Sequence, residues 1–344
     1  MGSRGRSTTS PPAPRRSGRP LTSCLTRGDG PGIIPAVRRV PLRAPPTKAS
    51  PLPARALALP RASDFFALTK PRIVLLVMLT AAVGFYMAAP QGVEMVLLVH
   101  TLVGTALVAG GSSALNQVAE SDVDALMRRT AQRPIPGGRL TRSASAAFAA
   151  ALGAAGTGYL AVLVNPLTGA LAAATLASYV LVYTPLKRRT SLATLVGAVP
   201  GALPILGGWT ATGSGLSVAA WSLFGIMFLW QLPHFLALAW LYRDDYGRAG
   251  LRMLSVGDED GRQTFPRALV FAAALLPVSL IPTVVGLVGP LYFAGALLLG
   301  LWFAATAAVA ARRRDIQAAR RLFLVSIAYL PGLLGLLALD KALL

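Results

Sequence analysis

Nine apolar segments dominate the sequence, and each is long enough to cross a lipid bilayer as an α-helix. They cover residues 72–89, 95–115, 144–163, 168–186, 193–211, 217–240, 268–287, 290–311 and 322–340. A helix needs about 20 residues to span the hydrocarbon core. The chain is 54% hydrophobic and only 13% charged, and no alternating strand pattern stands out. These features predict an all-α, polytopic membrane protein with nine transmembrane helices.

Positive charge is distributed unevenly between the predicted loops. Basic residues occur in the N-terminal segment and in the loops 120–142, 187–190, 242–267 and 312–321, whereas the loops 90–94, 164–167, 212–216 and 288–289 contain none. Lys and Arg accumulate on the cytoplasmic side of membrane proteins. The alternation therefore predicts a cytoplasmic N-terminus and an odd number of spans. The same placement accounts for the net charge of +20 without a nucleic-acid partner.

Residues 1–62 differ in composition from the rest of the chain. They contain 12 of the 26 prolines and many arginines, with Asp29 as the single acid. Such a segment buries too little apolar surface to fold, so we expect a disordered basic tail preceding a membrane domain at 63–344. Its composition fits a mitochondrial transit peptide or a bacterial cytoplasmic tail. The only cysteine, Cys24, lies here, which argues against a disulfide framework or a thiol-based site.

The most informative polar stretch is NQVAESDVDALMRRTAQRP at 116–134, directly after the second apolar segment. If the helix continues, Asn116, Glu120 and Asp124 fall within about 80° of one another, and Asp122 points to the other side. An amide and two carboxylates on one face form an oxygen-rich site suited to Mg²⁺. The arginines that follow suit phosphate groups. The alternative is an acidic loop in solvent.

A second charged stretch follows the sixth segment, at WQLPHFLALAWLYRDDYGRAGLRML. Asp244 and Asp245 lie at its predicted cytoplasmic end. His234 precedes Asp245 by 11 residues, which places the two within about 20° on a helical wheel and about 16 Å apart along the axis. That distance is too long for both side chains to bind one Mg²⁺. The alternative for His234 is a histidine hydrogen-bonded within the helix bundle.

Several motifs together resemble the UbiA superfamily of intramembrane prenyltransferases, and more specifically its protohaem IX farnesyltransferase (haem O synthase) branch. They are TKPRI at 69–73, NQVAESDVDALMRRTAQRP at 116–134, YTPLKRRT at 183–190, WQLPHF at 230–235, DYGRAGLRML at 245–254 and LFLVSIAYLP at 322–331. The resemblance covers about residues 63–340. Two positions depart from the general superfamily pattern: Gln117 and Ala249 stand where other members have aspartates, which leaves fewer carboxylates for metal.

The resemblance implies a UbiA-like helical bundle that transfers a farnesyl group from farnesyl diphosphate to a vinyl group of haem B, with Mg²⁺ as cofactor. It assigns both catalysis and metal binding to Asn116, Glu120, Asp124 and Asp245, and it adds Asp244 as a metal ligand. It assigns substrate binding to Lys70, Arg129, Arg133, Tyr183, Lys187, Arg188 and His234. The ring of Tyr183 would stabilise the allylic cation, although Tyr183 is equally typical of a membrane-interface aromatic.

His234 is expected to serve the haem acceptor, by ligating iron or by contacting a propionate, because imidazole suits haem iron better than Mg²⁺. The expected location is the bacterial inner membrane, with the mitochondrial inner membrane as the alternative. Besides the substrates and the bilayer, haem A synthase or oxidase assembly factors are expected partners. Two other functions remain open: an aromatic prenyltransferase of a quinone pathway, and an ion-coupled transporter.

Overall fold

A computed structural model describes residues 61–89 and 92–344. The predicted basic tail therefore lies, except for its last two residues, outside the described part of the chain. The described helices, numbered along the chain, are α1 (Ala62–Leu68), α2 (Pro71–Ala88), α3 (Met95–Ala119), α4 (Ser121–Asp124), α5 (Arg142–Leu163), α6 (Pro166–Ala177), α7 (Thr184–Leu186), α8 (Ala193–Ala211), α9 (Val218–Leu241), α10 (Arg243–Arg248), α11 (Thr264–Val284), α12 (Pro290–Arg313) and α13 (Ile316–Leu343). A π-helical turn, Ser178–Tyr183, joins α6 to α7 into one rod, and a 3₁₀ turn spans Leu254–Val256.

Among the residues described, nine helical segments are long and apolar enough to cross a membrane: α2, α3, α5, the α6–α7 rod, α8, α9, α11, α12 and α13. This confirms the predicted number of spans. Several boundaries are shifted by a few residues from the prediction, and two of these shifts have an evident sequence context. The second span continues to Ala119, into the polar motif. The last span begins at Ile316, because Asp315 caps its first turn by accepting a hydrogen bond from the Ala318 backbone N–H at 2.7 Å.

Helices α8 and α9 lie at the centre of the bundle and are the most enclosed spans. Glycines let the backbone of α8 touch that of α2. A Cβ atom added to Gly208 would lie 1.9 Å from the carbonyl oxygen of Ala81, and one added to Gly84 would lie 2.1 Å from that of Ile205. Small residues permit such close approach of helices in lipid. The pair α2–α8 is therefore fixed in distance by its glycines.

The helices on the two sides of the central helices α8 and α9 are packed differently. Helices α8, α9 and α11–α13 share one large core, in which Phe265, Tyr292, Phe303 and Tyr329 are fully buried. On the other side, α2, α3, α5, α6 and α8 line a narrow, partly open cavity. Its walls are mostly apolar and include Val77, Leu160, Thr168, Leu203 and Gly207. The fold thus combines a densely packed half with a half that contains a narrow cavity.

Candidate active site

The first acidic motif keeps helical hydrogen bonding beyond the end of α3. The Glu120 backbone N–H donates to the carbonyl of Asn116 at 2.9 Å, and that of Asp124 donates to the carbonyl of Glu120 at 2.8 Å. Side chains four residues apart therefore share one face. Asn116, Glu120 and Asp124 are all buried, and Asp122 is exposed. This is the arrangement that the helical wheel predicts.

Each buried carboxylate of this motif contacts a cation. Lys187 Nζ lies 2.9 Å from Glu120 Oε1 and donates a 3.2 Å hydrogen bond to Oε2. Arg133 Nη1 donates to Asp124 Oδ2 at 2.6 Å. We name this group, together with Asn116 and Lys70, the paired cluster. Charged groups of both signs are tolerated inside a protein only when they are paired in this way.

Lys70 adds a third cation to the paired cluster. It stands between α1 and α2 with a left-handed backbone (φ 53°), which turns the chain into the Pro71 start of α2. Burial lowers the pKa of Lys70 to about 7, and the neighbouring cations Arg133 and Lys187 act in the same direction. An incoming anion would favour the charged form of this amine. When Lys70 is charged, the cluster holds three cations and two carboxylates, so it favours an anionic ligand.

The π-helical turn places Thr184 and the Tyr179 carbonyl beside Asn116. It is followed by Pro185, which has no N–H to donate to an α-helical hydrogen bond. The Thr184 hydroxyl donates its hydrogen to the Tyr179 carbonyl at 2.8 Å. Its oxygen must then accept from Asn116, so the amide group facing it at 3.1 Å is Nδ2. The Asn116 carbonyl Oδ1 is thereby left without a described hydrogen-bond partner. It is the atom that a hard cation requires.

Tyr183 lies against Lys187, whose Nζ is 4.4 Å from the centre of the ring. Burial opposes the charge on Lys187, yet Tyr183 and the Glu120 carboxylate raise the pKa of Lys187 above its ordinary value. The ring fits this place because residue 197 is glycine: a Cβ there would lie 2.5 Å from Tyr183 Cε2. One face of Tyr183 is therefore occupied by Lys187.

Thr184, Tyr179 and Gly197 were not singled out as site residues by the sequence. Thr184 lies within the motif YTPLKRRT, and Gly197 lies in the Gly- and Pro-rich fifth span. The segments that contain them were therefore identifiable, but the individual residues were not. Their roles depend on a π-helical turn and on a ring packed against another helix. Neither feature has a reliable sequence signature.

Other predicted residues lie outside the paired cluster. Arg188 makes two hydrogen bonds to Asp122, of 2.6 and 2.9 Å, in an exposed ion pair that lowers the pKa of Asp122. The guanidinium of Arg129 lies over the ring of Tyr242, 4.8 Å from its centre. Arg129 and Arg188 therefore make no ion pair with the buried carboxylates of the paired cluster, unlike Arg133 and Lys187.

The second acidic motif lies in α10, after one irregular residue, Tyr242, at the end of α9. Asp245 pairs with Arg248 three residues later, and Asp244 is exposed in a polar cleft beside Asp258 and Glu259. In the ranges 61–89 and 92–344, no three acidic, histidine or cysteine side chains lie close enough to hold one metal ion. The predicted metal ligands are thus divided between two places.

The two motifs nevertheless meet at the same end of the bundle. Val123 and Met127 form a buried cluster with Ala249 and Leu251, with Tyr246 packed against it. The Arg252 backbone N–H donates to the Lys187 carbonyl at 3.0 Å. The segment that carries Asp245 is therefore anchored beside the paired cluster, although its carboxylate is turned to Arg248.

The donor set of the paired cluster fits Mg²⁺. Buried Glu120 Oε1 accepts no hydrogen bond from the described residues, although an ammonium group lies near it. Each carboxylate oxygen carries two lone pairs, so Oε1 can face a metal ion while Lys187 stays within 2.9 Å of it. With Asn116 Oδ1 and Asp124, Glu120 gives an amide and two carboxylates, all hard oxygen ligands.

Comparison with known proteins agrees with this fold. Residues 77–330 match the model of the UbiA prenyltransferase family. A protoheme IX farnesyltransferase of Solibacter usitatus (strain Ellin6076) is 45% identical over 287 residues, covering 81% of this chain and 98% of its own. A protoheme IX farnesyltransferase of Salinibacter ruber (strain DSM 13855 / M31) is 46% identical over 277 residues, covering 80% and 98%.

Solved structures share the fold at low sequence identity. A structure of digeranylgeranylglyceryl phosphate synthase has a TM-score of 0.71 at 13% identity and covers 82% of this chain and 99% of its own. A UbiA homologue from Archaeoglobus fulgidus, bound to DMAPP and Mg²⁺, has a TM-score of 0.59 at 14% identity and covers 82% and 100%. The family match covers more than half of the sequence, and the relatives are similar along nearly their whole length. The chain is a multi-pass membrane protein that belongs to the UbiA prenyltransferase family.

Proposed function

We propose that this protein transfers the farnesyl group of farnesyl diphosphate to a vinyl group of haem B, which gives haem O. The observation that carries the chemical part of the proposal is the paired cluster: buried Glu120 and Asp124 with the cations Lys70, Arg133 and Lys187. The identity of the acceptor is supported by the names of the relatives, which are 45% and 46% identical to this chain.

In the proposed reaction the C1–O bond of farnesyl diphosphate breaks and diphosphate leaves. A vinyl carbon of haem B forms a new C–C bond to C1, and water adds to the neighbouring carbon with loss of a proton. The cations Lys70, Arg133 and Lys187 hold the diphosphate and stabilise its developing charge. Positioned cations are effective here because they are fixed in a site of low dielectric.

Asn116, Glu120 and Asp124 are the residues that would hold Mg²⁺, with Asp245 as a further candidate. The ion would neutralise charge on the leaving diphosphate. Lys187 and Arg133 each contact one of these carboxylates, so the same two cations hold the acids in place and remain available to phosphate oxygens. Tyr183 is proposed to stabilise the allylic cation through its ring, as it already does for the ammonium group of Lys187.

The cavity among α2, α3, α5, α6 and α8 is proposed to receive the farnesyl tail. Along the α6–α7 rod, its wall residues Thr175 and Thr168 lie four and 11 residues before Tyr179. These separations correspond to about 6 and 16 Å of helix. At the depth of Thr168, a hydrogen bond of 2.9 Å to Thr210 links α6 to α8. The space therefore lies deeper in the membrane than the paired cluster, as an apolar tail requires.

The first experiment is mass spectrometry of haem extracted from cells that express the protein and supply haem B and farnesyl diphosphate. We expect haem O from the wild type and none from Glu120→Gln. A prenylated aromatic product in place of haem O would favour the quinone-pathway alternative. Absence of any prenylated product, with an ion flux in vesicles, would favour the transporter.

Substitution of Gly207 tests whether the farnesyl tail binds in this cavity, independently of the identity of the acceptor. Gly207 lines the cavity, and a Cβ added there meets no atom within 4 Å. Gly207→Leu should therefore fill tail space without disturbing helix packing, and should favour geranyl over farnesyl diphosphate. Gly335→Leu is the matched control, because Gly335 also has room for a side chain but lies on α13, away from the cavity. Equal chain-length preference in both variants would place the tail elsewhere.

The proposed location is the bacterial inner membrane, with the N-terminus and both acidic motifs on the cytoplasmic side. The support is the alternation of basic and neutral loops together with the contact between Val123 and Ala249 at one end of the bundle. Labelling of single cysteines in sealed vesicles tests this orientation. Labelling of loops 120–142 and 242–267 from opposite sides would contradict it.

A further inference from the structure

His234 lies on α9 in an aromatic environment that fixes the plane of its ring. The ring stacks on Trp230, with 5.2 Å between the centres and 26° between the planes, and it lies 4.8 Å from the ring of Phe323 on α13. It precedes Leu241, the end of α9, by seven residues, or about 10 Å of helix. The imidazole is therefore held inside the membrane region, at one orientation.

The hydroxyl of Ser326 determines which nitrogen of His234 carries hydrogen. Ser326 Oγ is 2.6 Å from the carbonyl oxygen of Phe323 and 2.8 Å from His234 Nδ1. A serine hydroxyl has one hydrogen, and a carbonyl oxygen only accepts. The hydroxyl therefore donates to Phe323, and its oxygen accepts from Nδ1–H of His234.

The other nitrogen, Nε2, is consequently the one with a lone pair when the ring is neutral. No ion pair of the described residues includes His234, so the helix bundle offers no carboxylate to compensate a charged imidazolium. Nε2 has no hydrogen-bond partner in the described part of the chain, and His234 is only partly buried. A neutral imidazole with a free Nε2 and an anchored Nδ1–H is the form that binds a metal.

We propose that His234 Nε2 is the axial ligand of the iron of the haem acceptor, and that Ser326 is the positioning residue that fixes its tautomer. This inference rests on the proposed function, because it assumes a haem substrate. It excludes the other role expected for His234, since an Nε2 without hydrogen cannot donate to a haem propionate.

Ser326 also connects α9 to α13 through its backbone, because Trp230 Nε1 donates to the Ser326 carbonyl at 2.8 Å. The same serine thus sets the position of the stacked tryptophan and the tautomer of the histidine. Substitution by alanine removes only the hydroxyl and keeps the bond to Trp230. The two effects of Ser326 are therefore separable.

The test uses the full-length protein in detergent, loaded with haem B in the absence of farnesyl diphosphate. We expect the wild type to give the absorption and electron paramagnetic resonance signatures of histidine-ligated haem. His234→Gly should lose them, and added imidazole should restore them by occupying the vacated position. Retained binding of farnesyl diphosphate would show that the variant is folded.

Ser326→Ala should keep the histidine signature but weaken haem binding by about tenfold, the usual range for loss of an outer-shell partner. The matched control is Ser222→Ala. Ser222 also lies buried in a membrane helix and donates to the carbonyl three residues earlier, Ala219, at 2.7 Å, but it does not contact His234. We expect the control to leave haem binding unchanged.

A His234→Gly protein with the wild-type haem spectrum would overturn the inference. If the wild type still makes haem O in that case, the proposed function stands and only the role of His234 is wrong. If the wild type neither binds haem B nor makes haem O, the proposed function fails as well. Equal weakening by Ser326→Ala and Ser222→Ala would remove the role assigned to Ser326.

Discussion

The two acidic motifs occupy equivalent places in the sequence, each at the end of an apolar helix, but they differ in their partners. Glu120 and Asp124 are buried and pair with Lys187 and Arg133. Asp245 pairs with Arg248 within the same short helix, and Asp244 is exposed. Each motif has one irregular residue at the helix end, Glu120 itself in the first and Tyr242 just before the second, so helix geometry does not explain the difference. It comes from two cations that lie outside the helix carrying the acids, Arg133 in the loop that follows and Lys187 from a distant part of the chain. The difference predicts unequal roles for the two motifs.

The sharpest test of this comparison is within the first motif. Glu120→Gln and Asp124→Asn keep the side-chain shape but remove the charge, and we expect each to lower turnover by at least about a hundredfold. Asp122→Asn is the control, since its carboxylate is exposed and paired with Arg188 outside the paired cluster. Haem O formation in membranes measures all three. Comparable losses in the three variants would mean that a mobile loop, and not one buried face, presents the acids.

The second motif should affect metal dependence more than it affects substrate binding. If Asp245 leaves Arg248 when Mg²⁺ binds, Asp245→Asn should raise the Mg²⁺ concentration needed for half-maximal turnover by about tenfold, the range seen when a metal site loses a supporting group. Asp244→Asn should change it little, because that side chain faces the polar cleft. Titration with Mg²⁺ at saturating farnesyl diphosphate distinguishes the two. An unaltered requirement in both variants would confine the metal to the first motif.

A smaller effect concerns pH. Burial lowers the pKa of Lys70 to about 7, so the amine of the ligand-free protein is charged below that pH and neutral above it. The affinity for farnesyl diphosphate should therefore fall as pH rises from 6 to 8, by at most about tenfold per unit. Lys70→Met should bind weakly and with a flatter pH profile. An unchanged slope in this variant would assign the pH dependence to another group.

The smallest predicted effect is on the free energy of unfolding, and it compares the buried Arg133–Asp124 pair with the exposed Arg188–Asp122 pair. Arg133→Gln leaves buried Asp124 without its partner and should lower the free energy of unfolding by roughly 1–3 kcal/mol. Arg188→Gln breaks a pair in which both side chains are about half exposed, and it should cost less than about 1 kcal/mol. Thermal unfolding in detergent compares them. Equal shifts would show that the first motif is more solvated than its burial indicates.

Much of the architecture was predictable because it depends on local chain properties. The nine spans follow from segment length and apolarity, since a bilayer leaves the backbone few alternatives to a helix. The common face of Asn116, Glu120 and Asp124 follows from helical periodicity over eight residues, and the family was recognisable from motifs such as WQLPHF. The boundary of the last span was less predictable, because it depends on the cap formed by Asp315.

The sequence alone therefore determined the helical membrane fold, its number of spans and the residue types of the site. The tertiary structure decided which charges meet: Lys187 reaches Glu120 across 67 residues of sequence, and Arg188, its neighbour, turns to Asp122. It also decided the hydrogen positions on Asn116 and His234, through the hydroxyl groups of Thr184 and Ser326. Ion pairing and hydrogen bonding act over a few ångströms, so they depend on how distant helices pack and leave no periodic signal in the sequence.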